Sequence, residues 1–304
     1  MRRPIQEASG QRGAPSSVEA CRRGEASAQA ATLPDMTRDE RAPLFVVSPH
    51  LDDAVFGCAA LLAARPGAVV CTVFAGTPAA PQRQPWDQAA GFADSTAAMD
   101  ERRREDERAL AWCAARGVCL DFLDAQYGAS PEVPALAEAL AAQLARHAGA
   151  TLLLPLGLRH PDHRRVAAAW LALLRTGRIG ACLVYEEAIH RAAPDETRRR
   201  LAELERAGLE ITPLGVDWCP DREARRARGI KRRAVAAYAS QLRAFGGTPL
   251  ADLERPERYW RMEWRGAPLH DLKRIPPRGA RCRVLAAAHR FAARRSTPRS
   301  SRRP

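Results

Sequence analysis

A chain of 304 residues with 46% apolar side chains can bury a sizeable core, as one large domain or two small ones. Its formal charge of +13 comes from 48 basic and 35 acidic residues, yet eleven of the basic ones and none of the acidic ones follow Leu272. The body up to Leu272 thus holds 37 basic against 35 acidic groups, which excludes a generally cationic, nucleic-acid-coating surface. Almost all the positive charge is Arg, with Lys only at 231 and 273, a bias that nucleotide composition produces as readily as selection for binding. No apolar run approaches the roughly 18 residues of a membrane-spanning helix, and no apolar segment follows Arg2 and Arg3 as an export signal would require. The eight cysteines are scattered without a C-x-x-C pair, which points to a reducing cytoplasm.

Residues 1–41 are rich in Gly, Ser, Ala and Pro without apolar periodicity and read as a disordered leader, with Met36 offering a start just before the first ordered element. Leu44–Val47 is a short buried strand, followed by a helix over 54–64 closed by Pro66-Gly67. A second strand spans 68–75, and a polar, Pro-rich loop covers about 76–88. Then come a charged helix over 97–116, a strand over 118–123, a helix over 131–147, a strand over 151–155, a helix over 163–175 and a strand over 181–185. Alternating buried strands and helices predict βαβ units in a Rossmann-like, three-layer α/β sandwich with a mostly parallel sheet. Beyond Glu186 the pattern predicts helices over 197–207 and 222–245 with a strand over 211–218 between them. Residues 249–268 read as loop or short structure, in which Tyr259, Trp260 and Trp264 favour a core role over stacking on a sugar. The domain is expected over 42–272, with an Arg-rich, disordered tail over 273–304.

Two strand ends carry metal-capable side chains: His50-Leu51-Asp52-Asp53 after the first, and His160-Pro161-Asp162-His163 after the strand at 151–155. Ligand sites of open α/β sheets form at such ends. His50 and Asp53, three apart at a strand-to-helix turn, can face one point, and His163 completes a two-His, one-Asp set that leaves a fourth position open on Zn²⁺. Asp52 is then free to act as base on the metal-bound water. Each motif alone reads equally well as a polar loop, with Asp52 or Asp53 capping the helix at 54–64 and Asp162 capping the one that begins at His163. Both together, each after a parallel strand, favour the metal.

Ser48-Pro49-His50-Leu51-Asp52-Asp53 with Gly57 resembles the His-Pro-Asp-Asp-Glu signature of the PIG-L (LmbE-like) deacetylases, and His160-Pro161-Asp162-His163 matches their second motif. Arg102-Arg103-Arg104-Glu105-Asp106 looks like their Arg-x-x-Glu element, and similarity extends over about 43–190, more weakly around 231–242. The resemblance implies an LmbE-like fold and a zinc-dependent hydrolase, or one using another divalent metal, that removes an acetyl group from an N-acetylated amino sugar or related glycoconjugate. It carries the ligand role to His50, Asp53 and His163 and the base to Asp52. His160 would stabilise the oxyanion or protonate the leaving amine. Leu51 stands where the family usually has Pro, and Ala54 where it usually has Glu, which touches the surroundings of the ligands rather than the ligands.

Arg102 is a candidate for a sugar or phosphate group, against the plainer reading of a solvated charged helix face. Asp124 follows a strand at the same sheet edge and is a candidate substrate contact, with Asp121 and Tyr127 nearby. Glu186, Glu187 and His190 are weaker candidates for sugar hydroxyls, while His147, His270 and His289 have no partner pattern. There is no Gly-rich nucleotide loop and no Gly-x-Ser-x-Gly elbow, which weighs against a nucleotide-dependent enzyme and a serine hydrolase. Two rivals stand beside the deacetylase: an amidase cleaving a non-sugar amide such as a thiol conjugate, and a protein that binds nucleic acid or an anionic surface through the Arg-rich tail. The expected partner is a small-molecule glycoconjugate, with no membrane span; oligomeric state is left open.

Overall fold

The structure is a computed structural model and describes residues 42–246 and 251–266. The leader expected over 1–41 and the tail expected over 273–304 lie outside the described residues. Seven strands form one sheet: β1 (Leu44–Ser48), β2 (Val69–Thr72), β3 (Arg116–Cys119), β4 (Thr151–Pro155), β5 (Cys182–Tyr185), β6 (Leu209–Pro213) and β7 (Tyr259–Trp264). Their order is β3-β2-β1-β4-β5-β7-β6, with the first five mutually parallel and β7 antiparallel to both neighbours. This is the mostly parallel α/β sheet that the alternating pattern predicts.

The helices are α1 (Asp53–Ala64), α2 (Pro85–Ala89), α3 (Ser95–Trp112), α4 (Val133–Arg146), α5 (Pro161–Arg175), α6 (Glu196–Arg206), α7 (Arg225–Ala236) and α8 (Ala239–Ala244). Strand β1 shows how the layers form. Phe45 and Val47 join the core shared with α4 and α5, while Leu44 and Val46 join the core shared with α1 and α7. All four are at most 1% exposed, and burial of each is worth about 1.5–3 kcal/mol. From β1 the chain crosses to β2 on one side, and β4 returns on the other, which opens a crevice at the carboxyl ends of β1 and β4.

Where the sequence pattern and the fold differ, side chains distant in sequence account for it. The helix expected over 97–116 stops at Trp112 because Ala114 takes the left-handed turn (φ 51°) otherwise expected of Gly117. Gly117 lies instead in β3, where a Cβ would come within 3.2 Å of Leu110 Cδ1. The single helix expected over 222–245 is split into α7 and α8 around fully buried Tyr238. Tyr238 donates its hydroxyl to Asp106 Oδ1 at 2.6 Å, and Glu105 Oε1 accepts Ser240 N at 2.7 Å, so two acids of α3 end one helix and start the next. The strand expected over 211–218 is β6, two residues earlier, followed by a 3₁₀ turn over Val216–Trp218. The stretch 249–268 contains β7, whose Tyr259 and Trp260 are core residues.

Candidate metal centre

His50 enters the crevice on the turn between β1 and α1. Ser48 fixes that turn: its hydroxyl donates to His50 O at 2.6 Å and accepts Ala54 N at 3.0 Å. The start of α1 is therefore served by Ser48, and Asp52 makes no side-chain cap bond, contrary to the capping alternative. Asp53 Oδ2 accepts His50 N at 2.8 Å, which folds its carboxylate back beneath the imidazole. At the second motif, His160 rather than Asp162 occupies the N-cap of α5, and its Nδ1 accepts Asp162 N at 3.2 Å. Pro161 opens α5 two residues before the expected start.

The two motifs meet. His50 Nδ1 and His163 Nε2 both lie 3.2 Å from Asp53 Oδ2, and the two imidazole centroids are 5.2 Å apart. The far nitrogen of each ring is held by another carboxylate: His50 Nε2 lies 3.2 Å from Asp162 Oδ2, and His163 Nδ1 lies 3.3 Å from Glu187 Oε1. His163 is completely buried, and its Nε2 has no hydrogen-bond partner, since the contact with Asp53 lacks the alignment of a bond. A buried, unsatisfied imidazole nitrogen beside a carboxylate is a costly arrangement in a metal-free protein and an ordinary one around a cation. The donor set therefore fits a divalent ion of the zinc type. The sets of three donors whose ligand atoms all lie within 4.8 Å of one another are His50-His160-His163, Asp53-His163-His190 and His50-Asp124-Asp162.

Electrostatics sorts the two adjacent aspartates. Burial, reinforced by the charge of Asp53, pushes the Asp52 carboxyl up to about 7. Burial would also raise Asp53, but His163 and His50 outweigh it and hold that carboxyl well below the usual range. Burial would lower His163, yet Asp53 and Glu187 bring it up to about 9. His190 is lowered to about 3 by burial and by the neighbouring His163.

A cavity of about 360 Å³ opens over these groups, lined by His50, Asp52, Asp53, His160, Arg102 and Asp124 among others. Its outer wall is aromatic: Trp86 meets Phe245 edge-on at 4.9 Å and donates Nε1 to Gln241 Oε1 at 3.0 Å. Arg102 is 6% exposed, not a solvated face charge, and its NH2 donates to Asp87 Oδ1 at 2.9 Å while Tyr127 donates to Asp87 Oδ2. Asp124 borders the cavity 4.0 Å from His50 Nε2, with its carboxylate occupied by Gln126 N and Gln126 Nε2.

Glu186 and Glu187 are fully buried, so neither reaches a sugar hydroxyl. Glu186 is committed to Arg191, Arg258 and Thr197, and Glu187 to His163 and the backbone N–H groups of Gly157 and Leu158. The sequence gives no sign of the Glu187–His163 contact, which joins residues 24 apart through the sheet edge. His190, in contrast, stands in the cavity with its ring 4.3 Å from that of His163.

With this geometry in hand, the relatives can be placed. Residues 45–174 match the family model of PIG-L, described as GlcNAc-PI de-N-acetylase. Residues 45–174 are a PIG-L domain. The match spans both motifs, while the sheet continues beyond it through β5, β6 and β7. Among solved structures, the A40926 pseudoaglycone deacetylase Dbv21 superposes with TM-score 0.58 at 24% identity, over 75% of this chain and 100% of that one. The zinc-inhibited form of teicoplanin deacetylase Orf2 superposes with TM-score 0.60 at 20% identity, over 74% of this chain and 100% of that one. A deacetylase–teicoplanin complex gives 0.55 at 20% identity, over 73% and 98%. At such identities the likeness establishes the shared α/β fold. No curated protein matches the chain. Among the described residues, no helix is long and apolar enough to cross a membrane.

Proposed function

We propose that the chain is a cytoplasmic, divalent-metal-dependent N-deacetylase, with zinc the metal, acting on an N-acetylated amino sugar or related glycoconjugate. The observation that carries this reading is the approach of His50 Nδ1 and His163 Nε2 to one oxygen of Asp53, 3.2 Å from each, beside an aspartate that the ligand set leaves free. His50, Asp53 and His163 would hold the ion, which when bound supplies Lewis acidity to the amide carbonyl and to water.

The remaining steps belong to the chain's own groups. Asp52, with its carboxyl raised to about 7, is poised near neutral pH to take the proton of the attacking water. His160 accepts Asp162 N through Nδ1, so its ring proton resides on Nε2. That N–H can donate to the oxyanion as the carbonyl becomes tetrahedral, and the proton that Asp52 took from the water then passes to the departing amine. Water adds to the carbonyl carbon, the C–N bond breaks, and acetate and the free amine leave. Arg102 and Asp124 border the substrate cavity, where Arg102 contributes positive charge and Asp124 an acceptor near His50.

The aromatic wall of Trp86 and Phe245 favours a second reading, an amidase on an amide whose amine part is apolar rather than a sugar. The test is metal analysis of the purified protein together with acetate release from N-acetylglucosaminyl compounds and from non-sugar amides. The expected result is about one ion per chain, activity lost on chelation, and faster release from the sugar substrates. If His50→Ala and His163→Ala retained both full metal content and full deacetylation, the reading would be wrong.

A further inference from the structure

Sequence spacing nominates three protein donors at this site, but the fold brings a fourth imidazole to it. The ligand atoms of Asp53, His163 and His190 all lie within 4.8 Å of one another. The His190 ring stands 4.3 Å from that of His163 and 6.0 Å from that of His160, and it lines the cavity. His190 reaches this position on a strained turn. Ile189, the residue before it, has φ 72° and ψ −52°, a combination that a β-branched residue adopts only under constraint.

The constraint is visible. Asp252 Oδ2 accepts Ile189 N and Arg191 Nε, both at 2.8 Å, so one carboxylate ties the backbone before His190 to the guanidinium of the residue after it. Arg191 is in turn bonded to Glu186 Oε2, Pro256 O and Asp252 O. Strained backbone of this kind persists only where its surroundings over-determine it, and here they fix a single imidazole in the cavity.

We propose that His190 is a fourth protein donor to the divalent ion, beside His50, Asp53 and His163. The inference rests on the metal-dependent reading above. It distinguishes a centre with four protein donors, as in structural zinc sites, from one with three, as in catalytic ones. Asp252 and Arg191 are positioning residues in this arrangement, because they act on His190 through the turn.

The experiment compares the full-length protein with His190→Ala and Ile189→Gly, reading metal affinity by competition with a chromophoric chelator and the visible spectrum of the cobalt-loaded proteins. His190→Ala is expected to weaken binding about tenfold or more and to change the ligand-field bands. Ile189→Gly keeps the imidazole but frees the turn, and is expected to weaken binding by less. It also decides the matter if the alanine variant does not fold. If both variants bind with unchanged affinity and spectrum while the parent binds metal and deacetylates, His190 is no ligand and only this inference fails. If the parent itself binds no metal, the proposed function fails with it.

Discussion

Glu187 Oε1 stands 3.3 Å from His163 Nδ1 while accepting the N–H groups of Gly157 and Leu158 at 2.7 and 3.1 Å. A single buried carboxylate thus orients an imidazole and fixes the loop leading to His160. Glu187→Gln keeps an acceptor for the loop but removes the negative charge facing the ring. Metal affinity is expected to fall about 10–100-fold, the usual effect of altering the partner of a ligating histidine. Chelator competition measures it, and an unchanged affinity in a folded variant would restrict Glu187 to loop support.

Asp52 lies next to Asp53 and outside the proposed ligand set of His50, Asp53 and His163. Asp52→Asn is expected to lower kcat by about 10²–10⁴-fold, the range for loss of a general base, with metal content unchanged. A parallel loss of metal would instead make Asp52 part of the ligand set.

The aromatic wall offers a probe of specificity. Trp86 is held by Phe245 and Gln241 rather than by the metal donors, so Trp86→Ala is expected to raise KM with little change in kcat. The increase should be largest for substrates with an apolar group attached near the amide. A fall in kcat alone would place Trp86 in the chemistry.

Gly157 has φ +83°, and a Cβ there would come within 2.4 Å of Ala167 Cβ. Gly157→Ala therefore meets both backbone strain and a clash with a rigid methyl group. Thermal or denaturant unfolding is expected to show a loss of about 2 kcal/mol or more. A loss below about 0.5 kcal/mol would mean that α5 shifts to make room.

Asp106 gives a pH signature far from the metal donors. Burial raises its carboxyl to about 6, although the Tyr238 hydroxyl favours the ionised form. A carboxyl raised in the folded state binds its proton more tightly there than in the unfolded chain. Its stabilising contribution is therefore complete below about pH 4 and is lost as pH rises through about 6. Asp106→Asn keeps an acceptor for Tyr238 without the charge. Its stability relative to the parent should rise across that interval by on the order of 2–3 kcal/mol, read from urea unfolding at pH 4 and pH 8. A constant difference would show that Asp106 is not protonated in the fold.

Strands β1, β2, β4 and β5 were legible because each is a short, largely buried apolar run. Strand β3, in contrast, is mostly exposed and covers Arg116–Cys119 rather than the expected 118–123. The two motifs stood out because they follow β1 and β4. The convergence of the two motifs was readable from topology alone, since both sit at the crevice between β1 and β4. What remained hidden depends on side chains that meet only after folding. Ser48, six residues before Ala54, displaces the aspartates from the cap of α1. Glu187 and His190 look like polar loop residues until β5 sets them beside α5. The break at Tyr238 lies within an Ala-rich run whose helical pattern is uninterrupted, and only buried Glu105 and Asp106 of α3 explain it. Residues 259–264 became a strand by pairing with β5 and β6, which composition does not reveal.

That break also has a mechanical consequence. Gln241 and Phe245, on and just after α8, are referenced through Ser240 to Glu105 on α3, the helix that also carries Arg102. A bulky substrate pressing outward on the aromatic wall would load α3 rather than a free loop. The entrance should therefore yield as one unit with the Arg102 side, so that its width and the placement of that charge change together.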